Sequence, residues 1–335
     1  MSAKVIIRCF IGVVGAIGTI TNIVAFVLLI RHRFASKLTN LFFRGQCIYD
    51  GFACFIMFLR QLFPNEVHTN SAGFDLFVCM LWSQDNLFWL GAILAASNLV
   101  CITLDRLIAV FKPLLYRRKQ KLLTIVFTSY NIFNVLILFT PQLARRKLVN
   151  GTCTFEFVSV HGPLNILGSV QAYMLVVFTY MLPCLCTIIS HALIIWKILQ
   201  IKNFCPESSG TSQTTSSSSN CTDRCEEGMY TAAVRRLVIT TVVLSALYIT
   251  CGSLEAFTYA FGTSGLIDYM ENSVRQQLGL GLMVLRGCIS PLVIVSSMMR
   301  PRSSDFTKKL KMYLQSHLSM ERFHRGVGRA QSVNR

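Results

Sequence analysis

Acidic residues are scarce in this chain. Its 335 residues include 15 Asp and Glu against 32 Lys and Arg, a formal net charge of +17. So large a basic excess can mark a nucleic-acid binder, but that role needs basic clusters on a soluble surface. Here the basic residues sit between long apolar runs, and 53% of the chain is hydrophobic. A membrane protein with basic loops is therefore expected, and nucleic acid is not expected as a partner. The motifs of common catalysis are also missing. There is no phosphate loop, no histidine pair at zinc spacing and no serine elbow, so neither an enzyme nor a cofactor is expected. The 13 cysteines form no framework and no zinc spacing. Most lie inside apolar runs (Cys47, Cys54, Cys101, Cys184, Cys186, Cys251, Cys288), where cysteine acts as a small hydrophobe. No secretory signal is evident. The first apolar run is too long for a signal h-region and reads as an uncleaved signal anchor.

What is present is a series of apolar runs. A spanning helix needs about 20 mostly apolar residues. Seven such segments can be drawn, at 5–30, 38–63, 74–110, 122–143, 169–199, 237–261 and 274–299. The third is too long for one straight span, so its first part is expected to stand above the membrane. The fold class is thus an all-α membrane protein, a seven-helix transmembrane bundle at 5–299 behind a short N-terminus at 1–4. The serine- and threonine-rich stretch 203–228 cannot bury a core and reads as a disordered loop. After Pro301, apolar Phe306, Leu310, Met312 and Tyr313 alternate with Lys308, Lys309 and Lys311. That pattern predicts a short amphipathic eighth helix at 300–314 lying on lipid, followed by a basic tail at 315–335. No cysteine follows Cys288, which excludes palmitoyl anchoring of that helix.

The basic residues also set the expected orientation. Twenty-two lysines and arginines fall in the first, third and fifth connections and the tail, against seven on the other side. The positive-inside rule puts the N-terminus outside and the C-terminus in the cytosol, which seven spans satisfy.

Leu104-Asp105-Arg106-Leu107 is the most informative stretch. It places an acid and an arginine at the inner end of an apolar helix, where a charged pair is costly and usually has a purpose. Seven residues beyond Arg106 comes Pro113, in Lys112-Pro113-Leu114-Leu115-Tyr116. This stretch resembles the Asp-Arg-Tyr…Pro-Leu-x-Tyr signature of rhodopsin-like G-protein-coupled receptors. Other positions are similar in the same way. Asn22 lies midway along the first helix. Asn40-Leu41-Phe42 opens the second, with Asp50 ten residues on, and Pro183 lies in the fifth. The resemblance implies a disulfide between Cys79 and Cys153, although Cys79 lies two residues further from Arg106 than is usual. It implies a switch built on Asp105, Arg106 and Pro113, a heterotrimeric G protein as partner, and an extracellular ligand. Asn150-Gly151-Thr152 is a glycosylation sequon on the expected outer side.

The departures are as informative. The family's helix-six Cys-Trp-x-Pro appears as Cys251-Gly252-Ser253-Leu254, and its helix-seven Asn-Pro-x-x-Tyr as Ser290-Pro291-Leu292-Val293-Ile294. The helix-four tryptophan is missing, and Asn131 or a neighbour takes its place. The chain looks like a divergent branch, similar to lineage-expanded invertebrate receptors of the flatworm type. The resemblance brings Asp50 to face Arg286 and Ser290 in a polar core with Asn22. An Asp50–Arg286 ion pair is expected there in place of the sodium ion family members often bind. Gln84, Asp85, Phe88 and Glu255 are candidates for the outer ligand cavity. Glu255 suits either a cationic ligand group or a structural hydrogen bond. Phe88 stands where amine receptors carry their aspartate, which argues against a biogenic amine and leaves a short peptide or small molecule. His191 reads as a packed histidine. The function expected is a cell-surface receptor in the plasma membrane. The alternatives are a receptor-like protein that no longer signals, or a seven-span transporter or channel.

Overall fold

The computed structural model describes residues 3–32, 36–63, 71–82, 85–144, 146–149, 152–155, 170, 173–204, 220–263, 266–267 and 273–299. The chain divides into two compact units, Met1–Ile294 and Val295–Arg335. Of the second, the described residues are the helical 295–299. Among the described residues, seven helices are long and apolar enough to cross a membrane: Val5–Arg31, Lys37–Leu62, Asn86–Phe111, Gln120–Leu143, Tyr173–Lys197, Arg235–Gly262 and Val274–Ser297. They match the seven expected segments in number and order.

The spans are inside-out relative to a water-soluble bundle. The first exposes Val13, Ile17, Ile20, Ile23 and Val24 and buries Asn22, which is 1% exposed. The fourth exposes Leu122, Ile125, Phe133 and Leu136 and buries Asn131 and Asn134. Lipid tolerates the apolar faces, while polar side chains must find partners inside. The third span is the axis of the bundle. It packs on the second, fourth, fifth and sixth. Small residues let backbones meet closely, as is common where no hydrophobic effect drives helices together. A Cβ on Gly18 of the first span would lie 2.7 Å from Cys54 Sγ, and one on Gly287 of the seventh 2.8 Å from the same sulfur. Three helices thus converge on Cys54 because two of them carry glycine there.

Several boundaries depart from the sequence reading. The segment 74–110 is two helices, Ala72–Leu81 and Asn86–Phe111. The break passes through Asp85, whose φ of 63° is left-handed, a conformation that Asp tolerates better than most residues. The sixth span belongs to a longer helix, Asn220–Thr263. Residues 220–228 are therefore helical, not part of the loop expected at 203–228. A hairpin that the sequence reading missed pairs Arg146–Val149 with Thr152–Phe155, with Val149 opposite Thr152. The Asn-Gly dipeptide between the strands is the sequence signal that could have found it. In the fifth span, Val177–Met181 is a π-turn. Leu182 N–H donates to Val177 O, one residue further back than an α-helix allows. Pro183 explains it, since its ring and missing N–H disturb the preceding turn. The expected helix at 300–314, the tail at 315–335, Gln84 and Asn150 lie outside the described residues.

Candidate functional site

Three polar sites are strung along the bundle. The first lies at the Arg106 end. Asp105 is fully buried and Arg106 is 7% exposed. Arg106 Nε donates to Asp105 Oδ2 at 3.1 Å, and its Nη2 contacts both Asp105 Oδ2 and Thr39 Oγ1. Thr39 Oγ1 in turn donates to Asp105 Oδ2 at 3.0 Å. Ser36 caps the second span, accepting from Thr39 N–H at 3.2 Å, and its hydroxyl lies 2.6 Å from Tyr116 OH. Burial, then the nearby Asp105 carboxylate, pushes the Tyr116 phenol above its ordinary value, so it remains a neutral O–H donor. Pro113 opens the short helix Pro113–Arg118 and carries Tyr116 to this cluster. Proline suits a first helical turn because the N–H it lacks has no partner there. The Thr39 hydroxyl, in contact with both members of the Asp105–Arg106 pair, therefore ties the second span to the third, and Ser36 ties it to Tyr116.

The second site is the polar core. Asp50 is 1% exposed. Its Oδ1 meets Arg286 Nη2 at 3.3 Å, and its Oδ2 accepts from Ser290 Oγ at 2.5 Å and Gln46 Nε2 at 3.0 Å. Asn98 Nδ2 donates to Gln46 Oε1 and to Phe42 O, both at 2.9 Å. Asn22 stands beside this core rather than on Asp50. Its amide donates to Gly18 O and Gly287 O, both at 2.8 Å, joining the first and seventh spans. Arg286 also lies over the Tyr248 ring, 5.0 Å from its centroid, a cation–π contact. A buried acid is here neutralised by a resident guanidinium, which is how a bilayer interior tolerates either charge.

The third site is a cavity between the third, fifth, sixth and seventh spans. Trp89, Tyr180, Tyr248 and Tyr259 wall it, and Glu255 and Arg286 bring the charges. Of the residues expected to line it, Glu255 does so. Phe88 does not. It is 1% exposed and packs with Ile11, Val14, Ala53, Met57 and Leu280 between the first, second and seventh spans. Asp85 is absent too. It forms an ion pair with Arg60, both nearly buried, at the turn before the third span. Trp89 takes the cavity side of the third span and Phe88, one residue back and about 100° round the helix, takes the core side, with Ala92 bordering both.

The chain matches the family model described as 7 transmembrane receptor (rhodopsin family) over residues 21–294. That match covers most of the chain and runs from the residue before Asn22 to Ile294. The protein belongs to the rhodopsin family of seven-transmembrane receptors. No curated protein matches it.

With the family in hand, the receptor's departures gain a structural meaning. Where the sixth span would carry tryptophan, Gly252 leaves a gap, and Tyr180 of the fifth span fills it. A Cβ on Gly252 would lie 3.4 Å from the Tyr180 ring. Tyr180 OH donates to Ile249 O at 3.0 Å, its ring stacks on Tyr248, and it meets Phe257 edge-on. The π-turn places it there, a feature that the proline hinted at but did not specify. His191 and Ser245 join the fifth and sixth spans at 3.1 Å. Cys79, in the short helix before the break, is bonded to Cys153 on the hairpin, with Cα atoms 5.4 Å apart. The sequence reading did not identify Thr39, Ser36, Gln46 or Tyr180 as members of these sites.

Proposed function

We propose that this receptor sits in the plasma membrane with its N-terminus outside. An external ligand in the cavity then controls access of a heterotrimeric G protein to the Arg106 end. The observation that carries the reading is the closed cluster of Asp105, Arg106, Thr39, Ser36 and Tyr116. It holds the buried Arg106 through Asp105 of its own span and Thr39 of the second, and a modest separation of the two spans would break the Thr39 contacts to both. The freed guanidinium would then offer its donors to carbonyls of a bound partner. Beside it, Leu114 is 76% exposed and is flanked by Lys112, Arg117 and Arg118, which suits a protein partner at an anionic membrane surface. The cavity at the other end favours a small molecule or short peptide, with Glu255 accepting a cationic group. The departures at Gly252, Leu254 and Ile294 support a divergent, flatworm-type branch. The Tyr180 contacts support a signalling core rebuilt rather than lost.

The experiment is G-protein activation in cells across a panel of Gα classes. Wild type and Arg106→Ala are compared at matched surface expression, without ligand and then with peptide and small-molecule libraries. A basal or ligand-driven signal that Arg106→Ala abolishes is the expected result. Identical signals from both proteins would remove the role given to Arg106. Silence from well-expressed wild type would favour a receptor-like protein that does not signal.

A further inference from the structure

Arg286 does two things at once. It lines the inner end of the cavity, and it pairs with Asp50 through Nη2. Its other contacts leave the guanidinium incompletely used. Nε is buried and has no hydrogen-bond partner among the described residues, and the whole residue is 6% exposed. A buried N–H on a charged group without an acceptor is unfavourable. Arg286 borders the cavity, so an acceptor bound there is the candidate partner for this guanidinium. Glu255 marks the other charged point of the cavity. Its Oε2 lies so close to Gly279 that a Cβ there would collide with it. Gly279 and Arg286 are seven residues apart on the same helix, roughly 10 Å along its axis. The two charged points of the cavity thus meet the seventh span at backbone positions about two turns apart. Between the two run the aromatic faces of Trp89, Tyr180, Tyr248 and Tyr259.

We propose that the ligand carries a free carboxylate that accepts from Arg286, and an amino group that meets Glu255. The two are separated as at the ends of an aromatic dipeptide rather than on one carbon. This rests on the receptor reading above and names its ligand chemistry. Arginine is the side chain best suited to a planar carboxylate, because two of its N–H groups can meet both oxygens. The ligand carboxylate competes with Asp50 for the same guanidinium. Binding therefore loosens the Asp50–Arg286 pair, and with it the join between the second and seventh spans.

The test is thermal unfolding of the full-length receptor in lipid nanodiscs, titrated with aromatic dipeptides. Each is compared with its C-terminal amide and its N-acetyl form. Free dipeptides should raise the unfolding temperature with dose. Amides and N-acetyl forms should need about tenfold higher concentration or more, the loss expected for one charge-assisted hydrogen bond. Arg286→Gln alone leaves Asp50 unpaired and can fail to fold, so Asp50→Asn/Arg286→Gln is the variant to compare. It should respond equally to acids and amides. Asp50→Asn alone leaves the guanidinium unshared and should bind free acids several-fold more tightly. Equal shifts from acids and amides in wild type, or an undiminished acid preference in the double variant, would overturn the proposal. So would a flat response to the whole panel, which would assign Nε to ordered water alone. No G protein enters this measurement, so its failure is distinct from a failure of coupling at Arg106.

Discussion

Arg286 and Asp50 face each other in the bilayer interior, and each makes the other tolerable. Removing one partner of a buried pair leaves an uncompensated charge, at about 3–5 kcal/mol. Arg286→Leu should therefore strip most of the receptor from the cell surface, as read by antibody staining of intact cells. Asp50→Asn should share the defect more mildly, because Ser290 and Gln46 can still bond the amide. Wild-type staining for both would remove the pair from the account. At the same scale, Tyr180 fills the space left by Gly252 and bonds the backbone of the sixth span at Ile249. Tyr180→Phe deletes that hydrogen bond, worth about 1 kcal/mol, and keeps the ring. Basal G-protein activation should shift severalfold at unchanged surface expression, whereas Tyr180→Ala should also lower expression. An unchanged basal signal in Tyr180→Phe would leave the tyrosine a packing residue. Asp105, Arg106 and Asp50 were legible in the sequence because charge in an apolar run is conspicuous. Thr39, Ser36 and Gln46 were not. A hydroxyl or amide in a helix names no partner until the rotational phase of two helices is known. The same phase sends Phe88 to the core between the first, second and seventh spans and leaves Trp89 facing the cavity.

Between elements, glycine and the disulfide fix distances that side chains alone do not. Gly18 and Gly287 both abut Cys54 Sγ, so Gly18→Val or Gly287→Val must displace the Cys54 side chain at the meeting point of three helices. Overpacking of this kind costs about 1–3 kcal/mol. Both variants should reach the surface poorly, while Gly73→Val, at a site with nothing within 4 Å of a Cβ, should be tolerated. Similar loss at all three sites would show that the close approach is not what matters. The Cys79–Cys153 bond ties the short helix before the third span to the hairpin. Mass mapping of surface protein without reductant should recover the two peptides cross-linked, and recovery of both as free thiols would refute the bond. The number and order of spans were legible from apolar length alone. The break at Asp85 and the π-turn at Val177–Met181 were not, because both depend on how one helix is accommodated by its neighbours. The hairpin was legible in principle from Asn150-Gly151, but the sequon drew attention first.

At the scale of the bundle, the three sites run from the cavity, through Asp50 and Arg286, to the closed cluster at Arg106. Adjoining sites share helices. Arg286 belongs to both the cavity and the core, and the second span carries Asp50, Gln46 and Thr39. The seventh span thus reaches the cavity and the core, the second reaches the core and the Arg106 cluster, and the Asp50–Arg286 pair joins the two, which is what coupling between a ligand and a partner requires. The most direct test of this account is basal G-protein activation by Asp105→Asn, alone and combined with Arg106→Ala, at matched surface expression. Removing the Asp105 charge weakens the grip on Arg106 while Thr39 and Tyr116 remain. The account predicts a raised basal signal in Asp105→Asn that disappears in the double variant. A signal unchanged by Asp105→Asn, or one that persists without Arg106, would contradict it.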